Sequence, residues 1–154
     1  MKTKMTFFKF AFAGFLLTLV AAPVLAAGQN QATLTSITGD AYGRRAGAID
    51  WQQLEVGAVL SEGDALKTTE GSEAVLELNG AAKTAEIIVR ESSEFVFKTF
   101  QHAPDATDTT LLDVSLGAVL VKAEKLAGAS KFEVKTPTSI VGIRGTTFEV
   151  KVSK

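Results

Sequence analysis

The 154-residue sequence has no cysteine, one histidine, one tryptophan, one tyrosine and three prolines. Without cysteine it can form no disulfide framework, no thiol nucleophile and no thiolate metal site. His102, alone, cannot make a multi-histidine zinc site. The chain also lacks any block of Lys or Arg, and its charge balance is slightly acidic, so nothing favours nucleic acid as a partner. No Gly-Lys-Ser/Thr loop leads into a helical pattern, which removes the usual phosphate cradle.

The long apolar run is confined to one end. Residues 1–26 hold five of the ten Phe, both Met and only basic charges. Met1-Lys2-Thr3-Lys4 is followed by apolar residues from Phe10 to Val20 and then by Ala21-Ala22-Pro23-Val24-Leu25-Ala26. A basic start, an apolar middle and a small-residue cleavage site describe a secretory signal peptide. An uncleaved anchor is the alternative, because Phe10 to Gly28 approaches the roughly 20 apolar residues that span a bilayer. Pro23, the alanines and the polar Gly28-Gln29-Asn30-Gln31 favour cleavage after Ala26. With no Cys, attachment as a lipoprotein is excluded. The expected product is a periplasmic or secreted chain with no stable membrane span.

Without the leader's three lysines, residues 27–154 carry 13 basic and 17 acidic side chains, a formal charge of −4. One domain of that size can bury about two-thirds of its unfolded surface, so its stability needs no metal or disulfide, and no cofactor is expected.

Beyond Gln31 the apolar residues recur with period two, the signature of half-buried strands. Ala74, Leu76 and Leu78 share a face; Phe95 with Phe97, Phe132 with Val134, and Phe148 with Val150 and Val152 do the same. Turn signals at Gly39-Asp40, Gly43, Gly47, Gly63-Asp64, Gly71-Ser72 and Asn79-Gly80 separate the runs, and Asn-Gly predicts a hairpin joining Leu78 to a strand near Ile87-Ile88-Val89. Pro104 predicts a surface loop from Gln101 to Asp108. Ala123 to Ala129 could form one helical turn. Three echoes stand out: Gly57-Ala58-Val59-Leu60 with Gly117-Ala118-Val119-Leu120, Gly39-Asp40-Ala41 with Gly63-Asp64-Ala65, and Phe-Glu-Val-Lys at 132–135 and 148–151. Their unequal spacing argues against a strict repeat. The fold class is all-β: a rolled β-sandwich or a short irregular β-solenoid of about ten to twelve short strands, preceded by the signal peptide.

No catalytic set assembles in the sequence. Most carboxylates occupy outward strand positions beside lysines, as in Glu133/Lys135 and Glu149/Lys151, and a solvated face accounts for them. His102 has Asp105, Asp108 and Ser92-Ser93 within reach along the chain, but a Ser-His-Asp triad is defined by geometry, so an envelope hydrolase is a minor alternative to a non-enzyme. Tyr42, Arg44, Arg45 and Trp51 are a possible contact set, because aromatic rings stack on sugars and arginines hold carboxylates. Trp51 would otherwise cap the core beneath the segment from Leu54 to Leu60. Arg144, between Gly142 and Gly145, is a further contact candidate; the plainer reading of Gly142-Ile143-Arg144-Gly145-Thr146-Thr147 is a tight corner between strands.

Taken in order, these motifs resemble the FecR domain, a family of bacterial extracytoplasmic β domains. The resemblance runs from about Thr35 to Val152. It comprises Gly39-Asp40-Ala41, Trp51 with Leu54 and Gly57, Gly63-Asp64 through Thr68, Ala74 to Asn79-Gly80 and Gly117-Ala118-Val119-Leu120. It ends in Phe132 to Thr136-Pro137, then Val141-Gly142-Ile143-Arg144-Gly145-Thr146-Thr147-Phe148-Glu149-Val150. Regulators of the family join a cytoplasmic segment that handles a sigma factor to one membrane span and this periplasmic domain. Only nine residues precede the apolar run here, so the resemblance implies an extracytoplasmic binding or sensing module with no sigma-factor role of its own. Its partner is expected to be an envelope protein or a glycan, with a membrane-tethered signalling accessory as the alternative if the leader is retained.

Overall fold

In the computed structural model, residues 31–78, 84–102, 107–124, 126 and 128–153 are described, and among them every regular element is a strand. The expected leader and its expected cleavage site lie outside the described residues. The strands are β1 (Ala32–Thr38), β2 (Ala41–Arg44), β3 (Gln52–Gln53), β4 (Val59–Leu60), β5 (Ala65–Thr68), β6 (Glu73–Leu78), β7 (Ala85–Val89), β8 (Glu94–His102), β9 (Asp108–Ala123), β10 (Lys131–Lys135), β11 (Ile140–Ile143) and β12 (Thr147–Val152).

All twelve belong to one sheet with two wings, and β9 is common to both. The first half of β9 pairs with β8 and β10; the second half pairs with β7 and β12. One wing has the order β3-β2-β5-β8-β9-β10-β11, the other β4-β1-β6-β7-β9-β12. Every pairing is antiparallel except β9 with β10. The architecture is therefore the rolled form, and the three echoes mark where the chain enters one wing or the other.

The roll has a hydrogen-bonded seam where the chain bends between wings. The Asp40 amide donates to Ser72 Oγ at 2.9 Å and Ser92 N–H to the Thr69 carbonyl at 3.1 Å. Ala118 N–H donates to Ser93 Oγ at 2.9 Å, and Arg90 N–H to the Ala118 carbonyl at 2.9 Å. Gly117 is the bend inside β9, with φ of +82°. A Cβ there would stand 2.5 Å from Ser93 Cα and 2.7 Å from the Ser92 carbonyl oxygen, so backbone, not a movable side chain, excludes it.

One core fills the roll from both wings: Leu34, Leu76, Ile87 and Val119 from one, Leu66, Phe95, Phe97, Leu112 and Val134 from the other. The expected inward faces of β6, β8 and β10 are buried. Phe97 stacks on Phe100 at 5.0 Å although the two are three residues apart, because a bulge at Lys98 resets the alternation of β8.

Several local expectations are corrected. Phe148 and Val152 are only half-buried, since β12 lies at the rim of its wing and pairs with β9 alone among the described residues. Gly142 is no turn residue: it sits within β11 opposite Glu133. Gly145, with φ of +73°, makes the corner to β12. The strands β6 and β7 do form a hairpin, but Leu78 pairs with Ala85, a register too wide for a two-residue turn at Asn79-Gly80; those two residues lie outside the described set. Gln101 and His102 continue β8, and Asp108 opens β9, so the connection is shorter than expected. Pro104 also falls outside the described residues. No helical turn is seen among the described residues of 123–129, where Ala123 still belongs to β9.

Candidate interaction surface

The outward face of the first wing carries the most distinctive side chains. Tyr42 and Arg44 alternate outward from β2, opposite Lys67 and Ala65 of β5. Tyr42 faces Gln53 on β3, and one further step in that register sets Trp51 opposite Arg44. Arg44 Cζ lies 4.8 Å from the Trp51 ring centroid and Lys67 Nζ lies 4.5 Å from it; Lys67 is also 5.6 Å from the Tyr42 ring. Two cations thus share one indole, each attracted by the negative face of the ring. Neither makes an ion pair among the described residues, although Glu94 is the cross-strand neighbour of Lys67.

The structure brings Tyr42, Arg44 and Trp51 together. Trp51 belongs to this outward cluster and not to the core; Leu54 is the residue of that segment that packs against the core. Lys67 completes the group, and its outward position beside Tyr42 follows from the β2–β5 register, which no single strand reveals.

Arg45 is differently committed. Its guanidinium donates to Asp64 Oδ2 at 2.7 Å and to the Val59 carbonyl at 2.9 Å. The buried Asp64 carboxylate also accepts from Ala46 N–H at 2.9 Å and Ser61 N–H at 3.0 Å, so it ties two connections across the roll. Gly63, at φ of +85°, donates to the Phe97 carbonyl at 2.7 Å and holds the same junction to β8. Arg45 and Asp64 are a structural clamp.

Arg144 is exposed at the β11–β12 corner, next to the strand at the other end of this wing's order, with Ile143 buried beside it. Thr136 closes the β10–β11 hairpin: its hydroxyl accepts from Ser139 N–H at 3.0 Å and its amide donates to the Ser139 carbonyl at 2.8 Å. Pro137 follows it at a position that needs no N–H donor. Thr146 contributes its carbonyl to Ala123 N–H at 3.2 Å. Gly39 and Gly57, with φ of +73° and +94°, serve the β1–β2 corner and the approach to β4.

Ser92 and Ser93 precede β8 and His102 ends it, a separation of roughly 25–30 Å of extended chain. Ser93 Oγ is engaged with the Glu91 and Ala118 carbonyls. Among the described residues no three His, Cys, Asp or Glu side chains group as metal ligands, and no helix is long and apolar enough to cross a membrane.

No curated protein and no solved structure matches the chain. The family model described as FecR protein matches residues 64–154, more than half of the sequence, beginning at the Asp64 clamp and including β5 to β12. The strands β1 to β4 precede that span yet pair into the same sheet. The chain belongs to the FecR family.

Proposed function

We propose that the chain is an exported, non-enzymatic sensing module that binds an acidic segment of an envelope protein through Tyr42, Arg44, Trp51 and Lys67. Family membership supports a signalling or sensing role. The observation that carries the choice of surface is the convergence of Arg44 and Lys67 on the Trp51 ring with no carboxylate paired to either among the described residues. An incoming carboxylate meets two cations held in place by an aromatic platform, which reduces the side-chain freedom lost on binding. The same geometry disfavours a glycan, because a sugar stacking on Trp51 would compete with the two cations for the ring.

The test is capture from a periplasmic extract with residues 27–154 as bait, beside a glycan array. Wild-type protein should retain envelope proteins that R44E/K67E loses at least tenfold. Glycan retention that survives the charge reversal would contradict the choice of ligand. The mass of the mature protein decides the question of export separately: a chain that begins at Ala27 eliminates the membrane tether, and an intact leader restores the tethered accessory.

A further inference from the structure

The rim strand β12 points to a second copy of this chain. Its inner side is hydrogen-bonded to β9, as shown by the Ala123 N–H to Thr146 carbonyl bond, and that phase continues through Phe148, Val150 and Val152. The backbone N–H and C=O groups of Thr147, Glu149 and Lys151 therefore face away from β9. No other strand pairs with them among the described residues. The strand has no proline to blunt the edge, and its inward Phe148 and Val152 are left half-exposed at the rim.

We propose that β12 pairs antiparallel with β12 of a second copy about a two-fold axis at Val150. Only residues of the same phase can exchange hydrogen bonds, which leaves three central registers. Centring the axis on Glu149 sets glutamate against glutamate, and centring it on Lys151 sets lysine against lysine. Centring it on Val150 sets each Glu149 opposite the other copy's Lys151 and each Phe148 opposite the other copy's Val152. That register satisfies the outward backbone groups, neutralises both charge pairs and covers the half-exposed apolar side chains. In this arrangement the β4-β1-β6-β7-β9-β12 wing continues from one copy into the other. Glu149 gives up little to do this: its ion pair to Arg90 is long, 3.6 Å, and solvent-exposed.

The experiment is sedimentation of residues 27–154 from about 5 to 500 μM, with circular dichroism to confirm that each variant is folded. Wild type should dimerise reversibly. Glu149→Lys and Lys151→Glu should each weaken the dimer about tenfold or more, since each reversal converts two facing attractive pairs into repulsive ones. The double variant E149K/K151E should regain the wild-type constant, because the pairing is restored with its signs exchanged. A wild type that stays monomeric throughout overturns the proposal and leaves the edge to a strand from another protein. Folded single variants that dimerise like wild type overturn the register, as does a double variant that remains as weak as the singles.

Discussion

Gly117 and Asp64 are where single side chains decide the backbone. At Gly117 two conditions coincide: a left-handed φ, and the Ser92–Ser93 backbone standing where a Cβ would go. Gly117→Ala should therefore destabilise by about 2–5 kcal/mol, combining the strained dihedral with the overpacking. Gly47 has a similar φ of +75° but open space around it, so Gly47→Ala should cost about 1 kcal/mol. Urea midpoints of the two variants separate the terms; equal losses would mean that the seam has no tight approach. Asp64→Asn keeps the size of the side chain but loses the anionic acceptor shared by Arg45, Ala46 and Ser61, and should lower stability by about 1–3 kcal/mol. A melting temperature equal to that of wild type would refute the clamp. The sequence marked both residues through the Gly-Asp and Gly-Ala-Val-Leu echoes. It did not show that Arg45 pairs with Asp64, because that contact joins connections brought together only when the roll closes.

Among the elements, strand alternation was legible wherever the ladder is regular. Ala74, Leu76 and Leu78 in β6, and Phe132 and Val134 in β10, are buried as their phase requires. Alternation failed at bulges: with Phe95 and Phe97 inward, Phe100 reads as outward until Lys98 is taken out of register. It also overstated burial at the rim, since phase specifies which face a residue occupies but not whether a further strand covers it. Phe148→Ala should accordingly cost about 1–3 kcal/mol, against about 3–5 kcal/mol for Phe97→Ala in the closed part of the core. Chemical denaturation of the two variants checks the order, and a larger loss at Phe148 would place β12 in the interior. Thr136→Ala, which removes the side-chain cap of the β10–β11 hairpin, should destabilise by about 1 kcal/mol.

For the whole molecule, the roll separates the interior from a surface assembled by pairing. Tyr42 and Arg44 on β2, Trp51 before β3 and Lys67 on β5 come from three strands and lie side by side on one face. The sequence offered the first three as neighbours along the chain; Lys67 joined them only through the register. The central claim is that this aromatic and cationic face binds an acidic segment of an envelope protein. Its most direct test is quantitative capture from a periplasmic extract with three baits: wild type, R44E/K67E, and R144E as a charge reversal at the β11–β12 corner. The account predicts a set of proteins retained equally by wild type and R144E and depleted at least tenfold by R44E/K67E. Equal retention by all three would contradict it.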